Sequence, residues 1–498
     1  MFEKKPQKLQ KPIKNCVQGF VMPEFKKLSE AVWEIPASGN MKVPGKIFAT
    51  EKLLREIEQG AIQQLKNVAE LQGIEKASIG MPDMHWGYGF CIGGVAAFDL
   101  ENGVISPGGI GFDVNCGVRV LLSNLQEKEI KPKLKELMDE LFKQIPSGVG
   151  SKGKLKLSER ELKEVLNEGA EWTVRKGYGW KEDLERIEDY GCIKQADVGK
   201  VSAKALQRGM PQIGTLGSGN HFLEVQKVEK VLEPKVAKAF GLKEGQIVIM
   251  IHSGSRGCGH QIASDYIEEM LKAMQKYSIQ VPDRQLACAP INSKEGQNYI
   301  AAMSAAANYA FANRQAMMHW TRQAFEKVLG QDAESLGLQH LYDVAHNIGK
   351  IEEHKIDGKK KEVLVHRKGA TRAFPAGRKE NPKVYKETGH PAIVPGSMGT
   401  ASYILVGTEK GLQESFGSVC HGAGRTMSRH SAMQKKSGQE VKAELEAKGE
   451  IVKALSLKGL AEEMPEAYKD VHEVVKSVEL AGIGKTVARL KPLAVMKG

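Results

Sequence analysis

The stretch "QIVIMIH", residues 246–252, decides how this chain is read. Five apolar residues run without interruption between Gly245 and a polar, glycine-rich tail, "SGSRGCGH" (253–260). A short, β-branched apolar run bounded by glycine reads as a buried strand. It ends on His252, and the glycines after it open a loop. Similar runs recur at "LYDVAH" (341–346), "KEVLVH" (361–366) and "SYILVG" (402–407), and three of the four end on a histidine. Polar residues at strand ends, opening into glycine loops, are how a rigid sheet presents a site.

Between these runs lie helical patterns: 51–71, 131–145, 158–174, 261–277 and the long 297–330. The fold class is therefore mixed α/β. The polar stretch "AGRKENPKVYKETGHP" (376–391) reads as a surface loop. The 498 residues would suit about three domains at ~150 residues each. No Pro/Ser linker divides them, and no internal repeat appears.

Glycine is over-used, at 53 residues against a usual ~7%. It falls in clusters, where backbone turns sharply or approaches a ligand closely. The formal charge is +12 with pI about 9.1, which suits a polyanionic partner such as nucleic acid as well as an ordinary lysine-rich surface. The seven cysteines are scattered, which points to a reducing cytoplasm or nucleus rather than a disulfide framework. The basic start, "MFEKKPQKLQKPIKN", has no apolar core and is not expected to be a secretory signal. No run of about 18 apolar residues appears, so no membrane span is expected.

Four glycine-framed segments supply Asp113, Cys116, His221, His252 and His346. Thiolate and imidazole suit Zn, Mn, Fe or Co, and an added carboxylate shifts the balance toward Mn. Asp113 and Cys116 are three apart and would face one point. A cysteine sulfur can bridge two metals, which would allow a binuclear centre of the kind that serves phosphoryl chemistry. Any one of these histidines could instead be a polar residue satisfied at a strand end, and a cysteine can be a small buried hydrophobe. The spacing matches neither a zinc finger nor HExxH. His319 and His340, on or near helices, and His354 and His472, in charged helical stretches, are expected to be structural.

The stretch "SVCHGAGRTMSRH" (418–430) puts His421 before Gly422, Ala423 and Gly424, with Arg425 and Arg429 behind. Backbone amides in such a turn can face a phosphate, and a neutral imidazole there can attack it. Equally, the glycines could form a tight turn that His421 only caps.

Taken together, "MPDMHWGYGFCIGG" (81–94), "SPGGIGFDVNCGVR" (106–119), "GVGSKG" (148–153), "QRGMPQIGTLGSGNHFLEV" (207–225), "HSGSRGCGHQ" (252–261), "VHRKGATRAFP" (365–375), "GSMGT" (396–400) and "CHGAGR" (420–425) resemble the motifs of the RtcB family. These are GTP-dependent RNA-splicing ligases that seal a 3′-phosphate end to a 5′-hydroxyl end. The likeness runs in order from about residue 81 to the terminal "LAVMKG". It implies a single integrated domain over 1–498 with a deep metal- and nucleotide-binding cleft, in place of the three domains that length alone suggests.

The resemblance also implies roles. Cys116 would bridge two Mn²⁺ ions, with His252 and His346 at one and Asp113 and His221 at the other. His421 would attack the α-phosphate of GTP, the cosubstrate, and carry GMP. Asn220 and the Gly422–Ala423–Gly424 turn would hold phosphate. Glu224 would read guanine, and Ser402, Tyr468 and Lys497 would close the pocket. Phe222, Leu223, Asn347 and the turn of Pro395, Gly396, Ser397 and Met398 match further nucleotide contacts. Asp83 and Lys368 match positions of the active centre. Arg208, Arg256, Arg425 and Arg429 would meet RNA phosphates.

The implied route guanylylates His421, passes GMP to the RNA 3′-phosphate, and lets the 5′-hydroxyl expel GMP. A 2′,3′-cyclic phosphate would be opened first. An archease-type activator is the implied protein partner. Two other readings stay open on the residues. A metal-dependent RNA-end phosphoesterase would need the ligands but not His421, Glu224 or Lys497. A non-catalytic RNA-binding subunit would need none of them, and the complete set argues against it.

Overall fold

The strand Ile247–Ser253, buried along its whole length, lies inside an eight-stranded sheet. A computed structural model describes residues 16–17, 20–21 and 25–498. The basic segment 1–15 lies outside the described residues. The strand order is His340–Ala345, Gly117–Leu121, Ile247–Ser253, Phe222–Val231, Gly484–Lys497, Ser402–Gly407 and Pro391–Val394. These pair antiparallel, and Ile451–Ala454 joins Gly484–Lys497 in parallel.

A second sheet of seven strands runs Asn347–Ile356, Lys359–Lys368, Ile92–Asp99, Ile74–His85, Gly45–Phe48, Val32–Ile35 and Lys26–Ser29. One residue, His346, separates the last strand residue of the first sheet, Ala345, from the first of the second, Asn347. The chain therefore crosses between sheets at a candidate ligand. The mixed α/β class expected from the sequence is the class observed.

The larger sheet is apolar on both faces. Leu223, Val225, Ile249 and Ile251 pack into one core with the 36-residue helix Lys294–Leu329. Phe222, Met250, Val118 and Val120 face the opposite core. Side chains alternate across a strand, so residues an even number apart share a face. Near-continuous apolar runs follow from two-sided burial.

The four strand runs and the helices at 131–145, 261–277 and 297–330 appear within a few residues of expectation. Two helical runs are each broken in two. The 51–71 run divides into Glu51–Glu56 and Gln59–Val68 because Ile57 and Glu58 are extended. The 158–174 run breaks at Gly169, with φ 61°. His354 is a correction: it lies in the strand Asn347–Ile356, buried, with Nε2 3.0 Å from Glu352 Oε2. Charged residues in a strand buried against an ion-pair layer mimic a polar helix. His340 likewise opens a strand, while His319 and His472 do lie in helices. The 376–391 loop is exposed at Lys383 and Val384 but anchored by buried Asn381, Tyr385 and His390. Cys91, Cys116, Cys192, Cys258, Cys288 and Cys420 are buried and free. No helix among the described residues is long and apolar enough to cross a membrane.

Candidate metal and nucleotide site

Asp113 and Cys116 are aimed by the turn between them. Asn115 adopts a left-handed backbone, φ 52°, which a short amide side chain tolerates better than most. Its Nδ2 donates to the Ala307 carbonyl at 2.7 Å. Its Oδ1 and carbonyl accept from Arg314 at 3.0 and 2.8 Å. Arg314 comes from the long helix and also donates to the Ser253 carbonyl at 2.9 Å, next to His252. The backbone N–H of His346 donates to the Cys116 carbonyl at 2.9 Å. One guanidinium thus ties the Cys116 loop to the end of the strand that carries His252.

The result is two triads that share a sulfur. Cys116, His252 and His346 form one, and Asp113, Cys116 and His221 the other, with donor atoms within 4.8 Å of one another in each. Cys116 Sγ lies 3.3 Å from His221 Nε2 and 3.2 Å from His252 Nε2. His252 Nε2 is 3.3 Å from His346 Nε2, and Asp113 Oδ2 is 2.8 Å from His221 Nε2. His221 Nδ1 lies 3.0 Å from the Leu216 carbonyl; donating there leaves Nε2 with its lone pair toward the cluster. Burial holds His252 and His346 well below the ordinary histidine range, so both rings are neutral and can donate lone pairs. Burial, followed by the Asp113 carboxylate, pushes the Cys116 thiol up. Facing nitrogen lone pairs beside a thiol and a carboxylate fit a borderline divalent cation, which would supply the missing positive charge.

His421 stands beside this cluster, its ring centroid 4.9 Å from that of His346. It follows the short strand Ser418–Cys420, which pairs with Ala370–Arg372. Asp83 Oδ2 accepts from His421 Nδ1 at 2.6 Å and from its backbone N–H at 3.0 Å. With Nδ1 carrying the proton, Nε2 keeps its lone pair. Lys469 Nζ donates to the Pro82 and Met84 carbonyls at 3.2 and 2.6 Å, bracing Asp83 from both sides. Gly424 explains the missing bulk: its φ is 72°, and a Cβ there would lie 2.3 Å from the Asp83 carbonyl oxygen.

A cavity of about 380 Å³ opens on these groups. Asp113, Cys116, His252, His346 and His421 line it, with Asn220, Phe222, Glu224, Asn347, Lys368, Tyr468 and Lys497. The 395–398 and 422–424 turns complete the wall. Burial pushes the Glu224 carboxyl up to about 8, although Gln226 Nε2 donates to its Oε2 at 2.6 Å. Burial pushes the Lys368 ammonium down to about 7; Nζ donates to the Phe90 carbonyl at 3.0 Å. Lys497 Nζ donates to the Gly219 carbonyl at 3.1 Å.

Some candidate residues stand behind the wall or away from it. His221 and Asp83 act from beneath it, through the contacts above. Ser402 is buried and accepts the Gly396 N–H at 3.1 Å. Leu223 turns its side chain into the core, the opposite side from Phe222 and Glu224, as strand alternation requires. Arg208 is exposed and donates to Gln261 Oε1 at 2.9 Å. Arg256 points its Nε toward Thr215 Oγ1 at 3.3 Å. Arg425 and Arg429 line the cavity but pair with buried Glu463 at 3.3 and 3.2 Å. Sequence reasoning missed Glu463, which also accepts from the Tyr468 hydroxyl, together with His85, Tyr88 and Phe112 on the wall. Glu463 lies just past the end of the helix Leu457–Glu462 and carried no signal. The aromatics lay inside quoted motifs and could have been singled out.

The fold and site define a protein with a buried sulfur–imidazole cluster and a half-buried carboxylate, able to hold a metal ion and set against a histidine and a glycine turn at the wall of one cavity. A family model described as tRNA-splicing ligase RtcB matches residues 64–498. A relative from Archaeoglobus fulgidus, named tRNA-splicing ligase RtcB, is 56% identical over 95% of this chain and 99% of its own length. Relatives of the same name from Thermococcus kodakarensis and Aeropyrum pernix are 54% and 55% identical, over 96% and 95% of this chain and 99% of their own lengths. The chain belongs to the RtcB family.

Proposed function

We propose that this chain is an RNA ligase of tRNA splicing or RNA repair. It joins a 3′-phosphate or 2′,3′-cyclic phosphate end to a 5′-hydroxyl end through GMP carried on His421, with GTP as cosubstrate and two Mn²⁺ ions. The observation that carries this reading is the Asp83–His421 pair standing against two ligand triads that share Cys116.

The residues divide the work. Asp83 holds the His421 proton on Nδ1, so Nε2 is free to attack the α-phosphorus of GTP, and pyrophosphate leaves. Glu224 accepts from the guanine N–H donors, which adenine lacks as a pair. Asn220 and the 422–424 amides orient phosphate oxygens, and Ser402, Tyr468 and Lys497 close the pocket around the base. Cys116, His252 and His346 would hold one Mn²⁺, and Asp113, Cys116 and His221 the other. These ions supply charge neutralisation for the in-line transfers when bound. The RNA 3′-phosphate then takes GMP from His421, and the 5′-hydroxyl oxygen forms the phosphodiester as GMP departs. Without that activation the leaving group would be oxide.

The reading treats 1–498 as one working unit, because the site draws on residues from Asp83 to Lys497. It suits a cytoplasmic or nuclear RNA pool and an archease-type activator of guanylylation. Mass spectrometry of intact protein after incubation with GTP and Mn²⁺ tests it. One added guanylate, lost in His421→Ala, is expected. A protein that processes RNA ends but never takes up guanylate would be a phosphoesterase.

A further inference from the structure

The cavity wall beside Asp113 is aromatic. Phe112, the residue before Asp113, stacks on His260 with ring centroids 5.0 Å apart and planes 26° apart. Tyr88 meets the same phenyl ring edge-on at 5.4 Å. Tyr88 and Phe112 are half-buried and line the cavity, whereas His260 is exposed. The row therefore leads from solvent to the Asp113–Cys116–His221 triad.

Three separate segments build it. His260 lies one turn after Arg256 in the helix Arg256–Lys276, and residues four apart share a helix face. Arg208 lies near enough to His260 to act with burial in holding that imidazole below the ordinary range. The exposed outer ring offers a face for stacking. Exposed Arg208 supplies a cation beside it.

An aromatic row flanked by guanidinium groups suits one kind of polymer. Unpaired bases stack on rings while their phosphates meet the cations, and this works for any base. A duplex would keep its bases inside, and an apolar peptide would gain nothing from Arg208.

We propose that Tyr88, Phe112 and His260, flanked by Arg208, form a stacking track that holds the unpaired terminal bases of an RNA strand as its end reaches the Asp113–Cys116–His221 triad. This rests on the RNA-ligase reading above and adds a binding subsite to it.

The test uses full-length protein with Mn²⁺, GTP and two short single-stranded RNAs, one ending in 3′-phosphate and one in 5′-hydroxyl. Each carries 2-aminopurine at its reactive terminus in turn. Stacking should quench the fluorescence of at least one strand on binding. Phe112→Leu, Tyr88→Leu and His260→Ala should each reduce that quench and raise the KM for that strand about tenfold, with a smaller change in kcat. Phe112→Tyr should restore both. His260 is exposed, so His260→Ala gives a reading even if a wall variant folds poorly. Unquenched fluorescence for both strands, or unchanged quench and KM in all three variants, overturns the track. Failure of the unmodified protein to join RNA counts against the ligase reading instead, because the fluorescence measurement needs binding alone.

Discussion

Asp83 grips His421 twice with one oxygen: Oδ2 accepts from the ring Nδ1 at 2.6 Å and from the backbone N–H at 3.0 Å. The two bonds fix both the ring's tautomer and its position. The partner oxygen, Oδ1, is buried without a hydrogen bond among the described residues, so the carboxylate's grip is concentrated on the histidine. Asp83→Asn should slow guanylylation of His421 by about a hundredfold or more. The amide can present its N–H to the ring and favour the wrong tautomer. Time-resolved intact-mass measurement with GTP and Mn²⁺ checks this, and an unchanged rate would remove Asp83 from the mechanism.

The turn after His421 has no room for a methyl group. Gly424→Ala would place Cβ 2.3 Å from the Asp83 carbonyl oxygen, at φ 72°. The clash should shift the Asp83 segment and reduce adduct formation about tenfold or more, with strain on the order of 1–3 kcal/mol. Gly422→Ala would meet its nearest atom, the Pro395 carbonyl oxygen, at 3.1 Å, and should cost less. Parallel adduct assays of the two variants give the order.

Both ligand triads contain Cys116. Cys116→Ala should therefore abolish tight binding of both cations, while His346→Ala should weaken one more than the other. Elemental analysis after desalting reads the stoichiometry. Two cations retained per chain in Cys116→Ala would show that the sulfur is not shared.

Burial pushes the Glu224 carboxyl up to about 8. The free folded protein therefore keeps this proton at neutral pH, whereas the unfolded chain releases it in the ordinary carboxylate range. The raised value means that this group favours the fold at low pH, and that its contribution is lost as pH climbs from that range through about 8. Guanine N–H donors favour the ionised carboxylate, so GTP binding near pH 7 should expel up to one proton. Calorimetry in buffers of different ionisation enthalpy should detect it in the unmodified protein and not in Glu224→Gln. The same variant should lose preference for GTP over ATP.

Arg314 and Asp343 are wholly buried, 2.8 Å apart, and Arg314 also holds the Cys116 loop against the strand end that carries His252. Arg314→Met leaves Asp343 short of one of its two arginines; the other is Arg119 at 2.7 Å. Loss of one partner of a buried pair costs about 3–5 kcal/mol. Denaturant unfolding should show a lower midpoint, and metal titration a weaker affinity. An unchanged affinity would limit Arg314 to a purely structural role.

The strand at 246–252 was legible because its signal is local: an apolar run, glycine borders and a terminal histidine. The Asp113–Cys116 spacing was legible for the same reason. His354 misled because alternating charge in a strand beside buried arginines resembles a polar helix face. Leu223 lies between two wall residues, Phe222 and Glu224, yet its side chain faces the core. Glu463 left no trace, since its importance comes from Arg425, Arg429 and Tyr468 converging on it in space.

The sequence by itself determined which chemistry is present: the thiol, the imidazoles, the carboxylates, the glycine turns and the strands that carry them. Those features depend on residues a few positions apart, where periodicity and residue type suffice. Only the tertiary structure decided that His252, Phe222 and Lys497 share one row across three paired strands, and that His346 lies where one sheet passes into the other. Strand pairing between residues hundreds of positions apart is governed by burial of both sheet faces, and no local pattern encodes it.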